Sequence, residues 1–324
     1  MVVFGLYFIF MSILIVDAYN LFIRSYAAYP SISSVTGEQT GGIVGFIKSL
    51  QYIIDDIKPD KVFLVWEGGG SSRRRSLQGD YKRGRKAQKL NRFYDSDEIP
   101  DTIDNKFTQV VQLLNMLKST SIRQIYVENC EADDVIAYMT RVKFHNDTIT
   151  IVSTDKDYYQ LLLTEKIRIY NPHKKIYITD KDVIAEYKIH PKNFALAKTL
   201  CGDSSDNIEG IKGVGYKTVI KYFPILMSSS DVILQDLFKY ASAHIDEKVV
   251  YRNVISSNDK IQKNWKLIYL DTSSISFDQI NKINYQVDKP PSEKNIREFI
   301  GLQCKFGIMN VDAHAFFDRI GKLK

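Results

Sequence analysis

Residues 122–139 read IRQIYVENCEADDVIAYM. Ile122, Ile125, Tyr126 and Val127 form an apolar, β-prone run, and the pattern from Ala132 onward is that of an apolar helix. Between them, Glu128, Glu131, Asp133 and Asp134 place four carboxylates within seven residues. Acids therefore stand where a strand ends and a helix begins. Alone this is ordinary, since carboxylates suit the positive end of a helix dipole and usually face water there. The stretch decides the fold because the arrangement recurs on both sides of it.

Upstream, Ile13-Leu14-Ile15-Val16 reads as a buried strand followed at once by Asp17, and Val62 to Trp66 reads as a second strand followed by Glu67. Downstream, Thr148 to Val152 reads as a strand followed shortly by Asp155 and Asp157. Helical spacing lies between these strands: from Leu21, through Val44, Ile47, Leu50 and Ile54, through Val110, Val111, Leu114 and Leu117, and over 132–143 and 156–163. Strands alternating with helices predict an α/β fold, a mostly parallel central sheet with helices on both faces. In open sheets of this kind the carboxyl ends of the strands form the ligand crevice. Acids converging there repel one another, and cations relieve the repulsion. With no Cys or His in the set, all-oxygen ligation points to Mg²⁺ or Mn²⁺ rather than zinc.

The chain has 324 residues, 44% hydrophobic and 25% charged, enough for one large or two modest domains. A net charge of +6 weakly favours an anionic partner. Three widely spaced cysteines, Cys130, Cys201 and Cys304, make neither a zinc pattern nor a disulfide framework, so a reducing, cytoplasmic setting is expected. Residues 1–16 are almost wholly apolar but short for a membrane span and without a basic flank. Because Met11 opens a complete strand start, residues 1–11 are expected to be a hydrophobic extension, with a membrane anchor as the second reading.

Charge is concentrated in residues 73–92, where Arg73, Arg74, Arg75, Lys82, Arg83, Arg85, Lys86, Lys89 and Arg92 are opposed by Asp80 alone. Such a run suits a phosphate-contacting segment, with Tyr81 and Phe93 as candidates for stacking on bases. It leaves the sheet just after Glu67 and so lies beside the acids. Past residue 190 a helix, the acidic loop Asp203-Ser204-Ser205-Asp206-Asn207, a turn with Gly210, Gly213 and Gly215, and a second helix follow in order. That order predicts a helix–hairpin–helix element whose free backbone N–H groups face a nucleic-acid phosphate. The C-terminal third reads as helices over 231–242, 247–261, 292–300 and 311–320. The five histidines sit in no motif.

Taken together, these motifs resemble the structure-specific 5′-nuclease family. It includes phage 5′→3′ exonucleases and flap endonucleases, phage ribonuclease H and the 5′-nuclease domain of bacterial DNA polymerase I. The resemblance is carried by Glu131-Ala132-Asp133-Asp134, by Ser153 or Thr154 with Asp155, Asp157 and Gln160, by Asp203 to Asn207 with Gly210 to Thr218, and by Tyr81-Lys82 with Arg85. One position departs: after the second strand the family has Asp, and here Glu67, one methylene longer, stands in its place.

The resemblance implies a PIN-like 5′-nuclease core over 12–190 with a basic helical arch at about 75–105, and a helix–hairpin–helix and helical region over 191–324. It implies two or more Mg²⁺ ions, replaceable by Mn²⁺. Asp17, Glu67, Glu131, Asp133 and Asp134 would serve the first, and Asp155, Asp157, Asp203 and Asp206 the second. Lys82 and Arg85 would hold the scissile phosphate. Arg73, Arg74, Arg75, Tyr81, Arg83, Lys86, Gly210, Gly213, Gly215 and Lys217 would contact DNA, with K⁺ at the hairpin. The expected substrates are DNA 5′ ends, flaps or junctions, and RNA–DNA hybrids. The expected protein is a monomer working beside replication proteins in the cytoplasm, the host's if it is viral. Two alternatives stay open: a PIN-like ribonuclease and a non-catalytic DNA-junction binder.

Overall fold

The structure is a computed structural model that describes residues 10–29, 32–35, 37–83 and 103–323. Arg85, Lys86, Lys89, Arg92 and Phe93 lie outside the described residues, as do most of the expected arch and residues 1–9.

Apolar runs build a six-stranded sheet from β1 (Ser12–Asp17), β2 (Lys61–Trp66), β3 (Arg123–Tyr126), β4 (Thr148–Val152), β5 (Ile167–Asn171) and β6 (Ile176–Ile178). Its order is β3-β2-β1-β4-β5-β6, with β6 antiparallel to β5 and every other pairing parallel. The first strand is thus central. The chain leaves it in one direction through β2 and β3, then crosses back to its other side at β4. That reversal opens a crevice at the carboxyl ends of β1 and β4.

Ile13 and Ile15 of β1 enter one core cluster while Leu14 and Val16 enter the other. A strand covered on both faces reads as an unbroken apolar run, which is why these strands lack polar alternation. On the Leu14 face lie α1 (Ala18–Ala28) and α2 (Gly41–Ile57), then, beyond the short α3 (Ser72–Leu77), α4 (Ile103–Leu117). On the Ile13 face lies α5 (Ala132–Tyr138), continued by a π turn over Met139–Lys143 instead of the single longer helix expected. Residues 156–163, also expected as a helix, form a 3-10 turn over Lys156–Leu161.

After β6 come α6 (Asp180–Tyr187), α7 (Pro191–Cys201), a small hairpin of β7 (Gly202–Asp203) and β8 (Ile208–Glu209), and α8 (Tyr216–Tyr222). Then follow α9 (Leu234–Ala243), α10 (Val249–Ser256), α11 (Asn258–Ile268), α12 (Phe277–Asp288), α13 (Ile296–Lys305) and α14 (Ala313–Ile320). The helix expected over 247–261 is therefore divided between α10 and α11. Leu237, Val254, Ile261 and Ile283 join the core of the Ile13 face, while Phe299, Phe316 and Ile320 join that of the Leu14 face. The C-terminal third completes both cores, so position 190 marks a change in connectivity and no gap in the packing. Among the described residues, no helix is long and apolar enough to cross a membrane.

Candidate active site

Each central strand delivers its acid to the same edge. Asp17 ends β1 and caps α1, accepting from Asn20 N at 3.2 Å. Glu67 follows β2, and its Oε2 accepts from Ala132 N at 3.4 Å, so the longer side chain reaches the start of α5. The loop behind it passes very close to the exit of β3: a Cβ on Gly68 would lie 1.7 Å from the Val127 carbonyl oxygen. Only glycine fits there. Glu131 caps α5, with Asp133 and Asp134 in its first turn. Asp155 follows β4 and accepts from Asp157 N at 2.9 Å.

One group of acids is knitted together by a tyrosine. Tyr158 is fully buried, and its hydroxyl lies 2.7 Å from Asp133 Oδ1 and 3.2 Å from Asp17 Oδ2. Ser153 Oγ donates to the same Asp17 oxygen at 3.1 Å. Lys82 Nζ lies 2.8 Å from Glu131 Oε2, and its backbone takes the left-handed φ of 57°. Such a conformation is costly in a non-glycine residue. Burial, together with the charge of Asp133, pushes Asp17 up to about 7 and Glu67 up to about 8. Burial and the same neighbour also raise Asp155. Burial works against ionisation of Asp133 too, but Lys82 and the Tyr158 hydrogen bond outweigh it and lower that group.

A second group forms at the hairpin. Oxygens of Asp157, Asp203 and Asp206 all lie within 4.8 Å of one another. Lys198 of α7, 7% exposed, pairs with Asp157 and lies 2.6 Å from Asp203 Oδ2. Burial and Asp155 push Asp157 up to about 7 in spite of Lys198. Burial also opposes ionisation of Asp203, but Lys198 and the Ser205 hydrogen bonds bring it down to about 2. The hairpin closes tightly behind these acids, since a Cβ on Gly210 would lie 2.1 Å from the Cys201 carbonyl oxygen.

The two groups are tied to the start of the basic segment. Lys82 N donates to Asp206 O at 3.0 Å. Gln78 Nε2 donates to Asn207 O at 2.6 Å, and Asn207 Nδ2 to Asp80 Oδ2 at 2.7 Å. The Tyr81 hydroxyl lies 3.3 Å from Glu131 Oε2 and 3.4 Å from Asp206 Oδ2.

Several expected roles change. Arg74, expected on DNA, is 1% exposed. Its fork donates to both oxygens of Asp134 at 2.6 and 2.8 Å and to Glu131 at 3.0 Å, and its Nε donates to Leu267 O at 2.8 Å. Helix α3 turns this middle arginine inward, which leaves it no reach to a phosphate. Asp134, expected as a metal ligand, has both oxygens engaged by that fork. Tyr81, expected to stack on bases, is 8% exposed and packs with Ala195, Ile208, Leu267 and Ile268. Arg75 and Arg83 are exposed and Arg73 half-buried. Glu128 points away to Lys282, 3.5 Å off. Gln160 is buried and holds Leu270 N at 3.0 Å, and so braces the residues after α11. Gly213, Gly215 and Lys217 are exposed at the turn before α8, which Ile211 and Val214 anchor from inside.

Two residues escaped the sequence reading. Tyr158 left no signal, because a tyrosine beside Asp157 looks like any core aromatic. Lys198 left one: it is the lone charge within the buried run Asn193 to Leu200.

Residues 12–188 match the family described as 5′-3′ exonuclease, N-terminal resolvase-like domain. The chain is 30% identical over 211 residues to a 5′-3′ exonuclease of Aquifex aeolicus, covering 64% of this chain and 68% of that one. It is 26% identical over 289 residues to the thermostable DNA polymerase I of Thermus aquaticus, covering 89% of this chain but 31% of the polymerase. The chain thus spans about a third of that polymerase's length. In structure it resembles the bacteriophage T5 flap endonuclease, solved as a complex with DNA and metal ions, with a TM-score of 0.64 and 18% identity over 91% of this chain and 99% of that one. With the family match spanning more than half of its length, the chain belongs to the 5′–3′ exonuclease family of nucleases.

Proposed function

We propose that this chain is a divalent-metal-dependent nuclease that hydrolyses phosphodiester bonds at 5′ ends and flaps of DNA, in replication and repair. One observation carries the reading: acids from four strand ends and the β7–β8 hairpin converge on one crevice with Lys82 among them. The donors fit Mg²⁺ or Mn²⁺. They are carboxylates, with no histidine in the set, and burial pushes the nearby Cys130 thiol up to about 12, so it offers no thiolate. The acids that burial and mutual repulsion hold above their usual range are those a divalent cation would return to the charged form.

Asp17, Glu67, Glu131 and Asp133 would hold one ion and Asp157, Asp203 and Asp206 a second, with Asp155, expected in the second set, acting on both Asp17 and Asp157 and so standing between them. Two such ions, when bound, supply activation of a water and neutralisation of charge on the phosphate. The remaining work belongs to the chain. Lys82, pinned by Glu131, offers a positive charge where negative charge builds on the phosphate. Tyr158 holds Asp17 and Asp133 at a fixed separation. The exposed turn at Gly213 and Gly215, with Lys217, offers backbone N–H groups and a cation to duplex phosphates, with K⁺ as its expected ion. This grip reads backbone rather than sequence. The T5 enzyme's complex with DNA and metal ions supports the same reading.

A labelled 5′-flap DNA, a nicked duplex and an RNA–DNA hybrid, each with Mg²⁺ and with chelator, test it. Flap cleavage that needs Mg²⁺ and disappears in Asp155→Asn, with DNA binding retained, is the expected result. Cleavage confined to RNA would move the chain to the ribonuclease reading. Binding without any cleavage would make it a junction binder.

A further inference from the structure

A cavity of about 310 Å³ lies beside the acidic crevice, bounded by α1, α2 and the β5–β6 turn. Its charge is opposite to that of its neighbour. Arg24, Lys48 and Lys175 line it together with Tyr29, Tyr52 and Tyr170, and no carboxylate is among the described residues that do. Arg24 forms the shared wall. Its Nε donates to Thr154 Oγ1 at 2.8 Å, and Thr154 directly precedes Asp155. On the far side the Lys175 ammonium stands 4.7 Å from the centroid of the Tyr52 ring. Tyr52 and Tyr29 are 48% and 43% exposed, so aromatic surface is open to a ligand.

Arg24 feels the crevice acids Asp155 and Asp17, but Lys48 and Lys175 face no carboxylate among the described lining residues; such charge selects an anion, and accessible tyrosine rings select a flat π-system. The two together fit a ligand that carries both. The volume falls at the lower end for small-molecule sites, roughly 300 Å³. We propose that this cavity binds a single nucleotide, its phosphate on Lys48 and Lys175 and its base against Tyr52. It rests on the nuclease reading only for the source of that nucleotide, which is either a residue of the bound DNA strand or the mononucleotide released by cleavage.

The test measures binding by the full chain in chelator, where no cleavage occurs. The probes are a deoxynucleoside 5′-monophosphate, inorganic phosphate, the unphosphorylated deoxynucleoside and a 5′-flap DNA. The monophosphate is expected to bind more tightly than phosphate or nucleoside. Lys48→Glu and Lys175→Glu should each weaken it about tenfold, with Tyr52→Ala weakening it less. All three positions are exposed, so thermal melting should show the fold intact. If flap-DNA affinity falls in parallel, the nucleotide belongs to the bound strand. If only monophosphate binding falls, it is the released product. Wild-type binding of every probe by all three variants, or phosphate binding as tightly as the monophosphate, would overturn the proposal. An active nuclease with that result fails only this inference, whereas an inactive chain that binds nucleotide here fails only the nuclease reading.

Discussion

Arg74 and Lys198 are both buried cations shared between two carboxylates, yet they hold their acids in different ways. The Arg74 fork is planar, bidentate to Asp134, and locked further by the Leu267 carbonyl. Lys198 is a compact point charge between Asp157 and Asp203. A guanidinium with this geometry is a strut, since no metal ion could replace its directed donors. An ammonium among carboxylate oxygens is closer to a small cation and can be exchanged for one. The Asp134 side of the crevice is therefore built to stay as it is. If a divalent ion binds there as proposed, the Asp157 side would trade one positive charge for another.

Arg74→Met gives the largest expected effect. It leaves Asp134 buried without its partner and Glu131 paired with Lys82 alone among the described residues, at a cost of about 3–5 kcal/mol in unfolding free energy. Urea denaturation with and without Mg²⁺ should show the same loss, because the ion does not replace the fork. Full recovery in Mg²⁺ would break the distinction.

Lys198→Met comes next. In chelator it should lower stability by about 2–3 kcal/mol. Here a divalent ion should restore most of the loss, and calorimetry should show tighter uptake of one ion, since its competitor is gone. Equal losses with and without metal would make Lys198 a second strut.

Tyr158→Phe removes a hydroxyl and nothing else. Divalent-ion affinity at the group around Asp17 should fall about tenfold, as for other groups that orient ligands, while the hairpin group keeps its own. Weakening of both together would show that the groups are not independent.

The smallest effect is in pH. Asp17 and Asp157 at about 7 and Glu67 at about 8 lie above their unfolded values, so between those values the folded state binds more protons than the unfolded. Their contribution is complete at low pH and lost as pH rises through about 7 to 8. Asp203, held at about 2, acts in the opposite sense and loses its contribution only as pH falls toward 2. In chelator the melting temperature should drop by about 3 °C or more from pH 5.5 to 8.5, and excess Mg²⁺ should flatten the profile. A rise over that range would contradict the burial of these acids.

Much of this was legible in the residues. The strands around Ile15 and Leu64 are buried on both faces, so their apolar runs are unbroken; that around Ile151 carries a buried Thr150, and each of the three is followed by its acid. The acidic loop at 203–207 and the glycine turn before α8 were legible as residue types, but the small hairpin forms around the acidic loop, as β7 and β8, rather than at Gly213 and Gly215. What stayed hidden depends on direction rather than type. Arg73, Arg74 and Arg75 are one letter repeated, and only the phase of a six-residue helix decides which of them turns inward. Tyr81 and Tyr158 are tyrosines whose hydroxyls find acids brought near by distant segments. The β5–β6 pair carried too few residues for its alternation to stand out, and α10 and α11 share a continuous helical pattern that packing interrupts at Ser257.

The hydrogen bonds between residues 78–82 and Asp206-Asn207 have a mechanical consequence. They couple two segments far apart in the chain. Any pull on the basic segment that displaces Lys82 drags the Asp206 carbonyl with it, and so disturbs the second group of acids.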